Sequence, residues 1–115
     1  MKKLIMAFKY AFSGIFRTIK NERNIKIHLL AVCVVIFMGI VYKISIIEWI
    51  VCLILFGLVI SSELINTAIE HTVDLITSEK NELAKFAKDA AAGAVLVNAI
   101  ISIIIAGIIW IPKAF

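Results

Sequence analysis

The sequence has little of what a water-soluble domain needs. Charged residues make up 17% of its 115 residues and hydrophobic residues 63%, against roughly 45–50% apolar residues in an ordinary soluble domain. A small soluble domain buries only about two-thirds of its unfolded surface, so this composition would leave large apolar patches facing water. The composition therefore argues strongly against a water-soluble monomer and predicts a membrane protein with a single domain.

Cysteine, proline and glycine are also scarce. The two cysteines, Cys33 and Cys52, lie inside apolar runs and have neither metal-ligand spacing nor a disulfide framework around them. The five glycines are scattered, so the chain has neither a Gly-x-x-x-x-Gly-Lys loop nor a dinucleotide fingerprint. It also lacks the His-Glu-x-x-His motif of metallopeptidases and the nucleophile elbow of serine hydrolases. Any nucleotide site must therefore be of an unusual kind.

The N-terminal segment, residues 1–20, predicts an amphipathic helix lying on the membrane surface. Its apolar side chains recur at helical spacing, and basic and polar side chains gather on the opposite side. Seven of the twelve basic residues of the chain fall before Ile27. Because apolar residues separate these charges, an anionic membrane surface is a better expected partner than nucleic acid. No cleavable secretory signal is recognisable, and we expect the segment to be retained.

Three further segments predict helices that cross the membrane: 25–42, 46–76 and 90–111. The first two are separated by a very short turn, and the second is expected to extend into the cytoplasm. Ser78 is a possible helix N-cap before the third segment, and Pro112 is expected to end it. The predicted fold class is thus an all-α membrane protein with an N-terminal surface helix and three transmembrane helices. The distribution of Lys and Arg places the N-terminus in the cytoplasm and the C-terminus outside.

The second predicted span carries an unusual polar stripe. Glu63, Asn66, Glu70 and Asp74 follow one another at spacings that place them within a sector of roughly 80° on one helix face. An ionised carboxylate directly after a long apolar run is costly and often marks function. The alternative is that the stripe is the solvated end of a helix.

Other polar residues are expected at the same membrane boundary. Glu22 precedes the first span, Lys88 and Asp89 precede the third, and Lys80 and Lys85 lie between. Carboxylates together with substrate phosphates are the ligands that Mg²⁺ uses, and lysine provides a point charge for phosphate. This composition predicts phosphoryl transfer. By contrast, the two histidines, His28 and His71, are interpreted as an interfacial and a surface residue rather than as metal ligands.

These residues carry a family resemblance. The segments Glu63-Leu64-Ile65-Asn66-Thr67-Ala68-Ile69-Glu70, Val73-Asp74 and Ala87-Lys88-Asp89-Ala90-Ala91-Ala92-Gly93-Ala94-Val95 resemble the signature of the small prokaryotic diacylglycerol kinase family. The resemblance extends over nearly the whole chain. It implies an integral-membrane lipid kinase, a homotrimer whose active sites are shared between neighbouring protomers, with ATP as co-substrate and a divalent metal such as Mg²⁺.

The resemblance also implies roles for individual residues. Glu63 would be the catalytic base on the lipid hydroxyl, Asn66 would orient the site, and Glu22 and Glu70 would bind the metal. The residues implied to contact ATP are Lys3, Tyr10, Glu22, Glu70, Glu79, Lys80, Asn81, Lys88 and Asp89. Those implied to contact the lipid are Asn24, His28, Glu63 and Ala92.

The acceptor and two non-enzymatic alternatives stay open at this point. The stretch Arg23-Asn24-Ile25-Lys26-Ile27-His28 resembles the Gram-positive branch of the family, which favours undecaprenol over diacylglycerol. Diacylglycerol is the alternative acceptor. A small multidrug transporter or a holin has similar length and hydropathy, but a transporter would place its key carboxylate near the bilayer midplane. Glu63 is instead expected at the cytoplasmic boundary.

Overall fold

The computed structural model describes every residue from Met1 to Phe115 and is entirely helical. Its four helices are α1 (Lys2–Asn21), α2 (Arg23–Val41), α3 (Ile46–Ile76) and α4 (Glu82–Ala114). The last three are each long and apolar enough to cross a membrane. The predicted all-helical fold with three long apolar helices, each a candidate membrane span, is therefore confirmed.

Helix α1 packs only loosely against α2 and α3. None of its residues is buried, and Phe8, Phe12 and Phe16 expose more than half of their surface. The helix ends because Glu22 is extended, with φ −104° and ψ 130°. The chain changes direction at this residue, and α2 begins immediately afterwards.

The connection between α2 and α3 is short and well specified. Lys43 has a positive φ of 51°, which allows the chain to reverse, and Ser45 is the N-cap of α3. The backbone amide of Glu48 donates to Ser45 Oγ at 3.2 Å, and the amide of Ser45 donates to Glu48 Oε1 at 2.9 Å. This capping box satisfies two amides that the first turn would otherwise leave unpaired.

The same end of the molecule contains the apolar core. Ile44, Cys52, Ile109 and Trp110 are buried together. Trp110 Nε1 donates to the carbonyl of Met38 at 3.4 Å, and Lys113 Nζ lies 2.8 Å from Glu48 Oε2. Because these contacts join α4 to α2 and to α3, they hold the three helices in register far from the polar stripe.

The bounds of α4 differ from the sequence-based expectation at both ends. Asn81, not Ser78, is its N-cap, since Asn81 Oδ1 accepts from the amides of Leu83 and Ala84 at 2.9 and 3.1 Å. Pro112 does not end the helix, which continues to Ala114. A proline this close to the terminus costs few helix hydrogen bonds, and Lys113 Nζ donates to the carbonyl of Ile109 at 3.1 Å.

Gly39 provides a test of the packing between α2 and α3. A Cβ atom on Gly39 would lie 2.5 Å from Cη2 and 2.7 Å from Cζ2 of the Trp49 ring. We expect Gly39→Ala to lower the free energy of unfolding by about 1–3 kcal/mol, measured by equilibrium unfolding in detergent micelles. Gly57→Ala is the matched control, because nothing lies within 4 Å of its added Cβ. Equal destabilisation by both substitutions would contradict the expectation.

Candidate active site

The buried polar side chains of the chain all belong to one stretch of α3. Glu63, Asn66 and Thr67 expose 2%, 5% and 7% of their surface. They begin directly after the apolar part of the helix, where it packs against α2 and α4. Burial of polar groups requires compensation, so this stretch is the part of the molecule where a ligand would be most strongly favoured.

Glu63 faces a histidine of the neighbouring helix. His28 Nε2 on α2 lies 3.7 Å from Glu63 Oε2, and the two side chains are 20% and 3% exposed. The Glu63 carboxylate accepts no hydrogen bond from a protein group. A carboxylate with this environment retains both oxygens for an incoming hydroxyl group.

Asn66 and Glu70 are paired along the same helix face. Asn66 Nδ2 donates to Glu70 Oε1 at 3.1 Å. The other polar atom of the amide, Asn66 Oδ1, is buried without a hydrogen-bond partner. Leaving a buried acceptor unpaired costs about 1–3 kcal/mol, so a donor or a cation is favoured at this position.

Glu22 lies against the adjoining face of α3. Its Oε1 is 3.4 Å from His71 Nε2, and both residues line an open cleft of about 890 Å³ between α1 and α3. Glu22 reaches this position because it is the extended residue between α1 and α2. Glu70 does not line that cleft, so within one chain the two predicted metal ligands have different partners.

A second cleft, of about 560 Å³, lies between the C-terminal end of α3 and the N-terminal end of α4. Asp74 Oδ1 and Lys88 Nζ approach to 2.5 Å across it, and Lys85 Nζ lies 2.6 Å from Asp89 Oδ2 within α4. The hydrogen bond to Asp89 raises the pKa of Lys85, so its ammonium group stays charged at neutral pH. The cleft thus presents fixed charges of both signs.

The structure gathers some of the expected ATP contacts and separates others. Glu79, Lys80, Asn81, Lys88 and Asp89 all line the α3–α4 cleft. The other residues expected to contact ATP or lipid lie outside it: Lys3, Tyr10, Glu22, Asn24, His28, Glu63, Glu70 and Ala92. Within the single chain, no group of three or more His, Cys, Asp or Glu side chains is arranged to hold a metal ion.

An apolar groove of about 240 Å³ runs between α2, α3 and α4. Twelve of its fourteen lining residues are hydrophobic. Its two ends differ: Cys52 and Trp110 lie near the core, whereas His28 lies beside Glu63. The groove therefore connects the apolar interior of the helix bundle with the buried carboxylate.

The contacts of the two histidines were not foreseen from the sequence. His28 was interpreted as interfacial and, through the family resemblance, as a lipid contact together with Glu63. His71 was interpreted as a surface residue. Each histidine faces a carboxylate of another helix. His28 did carry a signal, since it is one of only two polar side chains in residues 25–42. No sequence pattern indicated the contact of His71, because its partner Glu22 is distant in sequence.

The family model described as prokaryotic diacylglycerol kinase matches residues 9–110. The chain belongs to this family. Undecaprenol kinase of Bacillus subtilis is 50% identical to it over 98% of this chain and 92% of the relative. A diacylglycerol kinase of Synechocystis is 38% identical over 95% of this chain and 63% of the relative. The diacylglycerol kinase of Haemophilus influenzae is 33% identical over 93% of this chain and 87% of the relative.

The burial of Glu63 leads to a prediction about stability. Glu63→Gln keeps the side-chain volume and removes a charge that lies in an almost dry site. We expect the free energy of unfolding in detergent to change by less than about 1 kcal/mol or to rise. The exposed Glu79→Gln serves as the control. A loss of several kcal/mol specific to Glu63→Gln would make the carboxylate a structural group.

Proposed function

We propose that this chain is a lipid kinase that transfers the γ-phosphate of ATP to the hydroxyl group of undecaprenol. The observation that carries the proposal is the 50% identity to the Bacillus subtilis undecaprenol kinase over nearly the full length of both chains. The relatives named diacylglycerol kinase are less similar, at 38% and 33% identity. Diacylglycerol, which would give phosphatidic acid, is the second candidate acceptor.

The apolar groove supports a lipid alcohol as acceptor. A polyprenyl alcohol has one long apolar chain with a hydroxyl group at its end. The groove is lined almost wholly by apolar side chains and ends at His28, beside Glu63. A chain lying in the groove would therefore present its hydroxyl group to the buried carboxylate.

Glu63 is proposed as the general base. It removes the hydroxyl proton as the oxygen bonds to the γ-phosphorus of ATP, and the bond from that phosphorus to its bridging oxygen breaks to release ADP. Asn66 is proposed to orient the reacting groups through its buried Oδ1, which has no partner within the protein. Holding the reactants in line accounts for much of the rate enhancement in such transfers.

Glu22 and Glu70 are proposed to hold a divalent cation, with Mg²⁺ the expected ion. The residues present are chemically suited to this ion. Carboxylate oxygens are the ligands that Mg²⁺ prefers, and the unpaired Asn66 Oδ1 lies beside Glu70. The cation would neutralise charge on the transferring phosphates. Because Mg²⁺ usually takes one or two carboxylates and completes its shell with water and phosphate, a three-residue cluster is not required.

ATP is proposed to bind in the α3–α4 cleft. Glu79, Lys80, Asn81, Lys88 and Asp89 line it, and lysine ammonium groups provide point charges for phosphate oxygens. Lys3 and Tyr10 would have to come from α1, which lies elsewhere in the same chain. We propose the homotrimer that the family resemblance implies, in which neighbouring protomers share each active site, with Asn24 and Ala92 completing the lipid contacts.

The proposed placement in the cell membrane follows from the exposed surfaces. Helix α1 exposes apolar side chains and carries basic ones, which is typical of a helix in the membrane interface. Ten of the twelve basic residues lie before Ile27 or between Ile76 and Ala90. The positive-inside rule then puts the N-terminus and both polar clefts in the cytoplasm and the C-terminus outside.

The assay that tests the function measures label transfer from γ-labelled ATP to undecaprenol and to diacylglycerol in parallel mixed micelles with Mg²⁺. We expect undecaprenol to be labelled preferentially and Glu63→Gln to lower kcat at least about 100-fold, because general bases contribute about 10²–10⁴-fold. Preference for diacylglycerol would support the second candidate. If neither lipid is labelled by the folded protein, the kinase function is wrong.

A separate prediction concerns the α3–α4 cleft. Lys88→Met removes an ammonium group that is proposed to contact phosphate, so we expect KM for ATP to rise about tenfold, equal to about 1.4 kcal/mol. Stability should change by less than about 1 kcal/mol, because the contact with Asp74 is solvent-exposed. Steady-state kinetics with varied ATP measures the effect. Lys113→Met, at the opposite end of α4, is the control and should leave KM for ATP unchanged.

A further inference from the structure

The inference concerns His28 and rests on the proposed function. We propose that His28 is a positioning residue for Glu63, which holds the carboxylate at the end of the groove and accepts from it the proton of the acceptor hydroxyl. The observation behind it is the contact between His28 Nε2 and Glu63 Oε2 at 3.7 Å. His28 also lines the groove in which the acceptor is proposed to lie.

The two side chains differ in their access to water. The Glu63 side chain is 3% exposed, whereas that of His28 is 20% exposed. A carboxyl group that takes a proton in an almost dry site needs a route by which to lose it before the next turnover. His28 is the basic group within 4.0 Å of the carboxylate, and its partial exposure provides that route.

The surroundings of the imidazole favour proton transfer between Glu63 and His28. No second carboxylate lies within 4.0 Å of the His28 ring. Lys26, the nearest charged residue on its own helix, turns away and donates from Nζ to the carbonyl of Lys20 at 3.0 Å. A neutral imidazole ring has one nitrogen that carries hydrogen and one that can accept it, so Nε2 of His28 can receive a proton from Glu63.

The proton transfers balance. The hydroxyl proton moves to Glu63 as the new P–O bond forms and the bond to the bridging oxygen breaks. Protonated Glu63 then donates this proton to Nε2 of a neutral imidazole that carries its own hydrogen on Nδ1. The resulting imidazolium releases a proton to water at the cytoplasmic boundary. Glu63 is restored as a carboxylate and His28 as a neutral ring.

The test compares His28→Gln and His28→Ala in the intact protein with undecaprenol and ATP. Glutamine nearly keeps the volume and can hydrogen-bond to Glu63, but it cannot accept the proton. We expect kcat of both variants to fall at least about tenfold, with KM for each substrate within about twofold of wild type. Added imidazole should partly restore kcat of His28→Ala. Leu30→Ala, an exposed position on the same helix, should behave like wild type.

Several outcomes would overturn the proposal. Wild-type kcat in His28→Gln at every pH would show that no proton passes through His28. A loss that appears in KM for the lipid and does not respond to imidazole would make His28 a packing residue. If His28→Ala does not fold, the comparison of His28→Gln with the wild-type protein is sufficient to test the proposal. Failure of the wild-type protein to label any lipid would instead overturn the proposed function, so the two failures are distinguishable.

Discussion

The structure depends most on the burial of the Glu63 carboxylate at the boundary between the apolar and the polar part of α3. Glu63 is nearly inaccessible, and the groove that reaches it is apolar. In such surroundings an ionised group is costly unless a partner lies close. The basic group nearest to the carboxylate is His28, at 3.7 Å, and it reaches this position because α2 and α3 are neighbours at this depth. The helix packing is therefore also what sets the chemistry.

The two ends of the bundle have opposite roles. At one end the Ser45 capping box, the Glu48–Lys113 contact and the Trp110 hydrogen bond join α2, α3 and α4 through groups that satisfy one another. At the other end polar atoms remain available, and Asn66 Oδ1 is buried without a partner. A protein that satisfies its polar groups at one end and leaves them free at the other concentrates its binding energy where a ligand arrives.

The sequence predicts most of the helices because hydropathy and helical spacing are local properties. The spans, the short turn at Lys43 and the shared face of Glu63, Asn66 and Glu70 all follow from neighbouring residues. The start of α4 could not be predicted in this way, because Ser78 and Asn81 are both good N-cap residues and only the three-dimensional structure shows that Asn81 is the cap. The contacts of His28 and His71 depend on how helices distant in sequence pack together, which no local pattern specifies.

The separation of the polar residues within one chain bears on assembly. Glu22 lies in the α1–α3 cleft, whereas Lys88 and Asp89 lie in the α3–α4 cleft on another side of the same helix. Transfer of a phosphoryl group requires the acceptor, the cation and the phosphate to meet within a few ångströms. One chain places the groups proposed for catalysis on different faces of α3. In the proposed homotrimer, each site would be completed by groups from a neighbouring protomer.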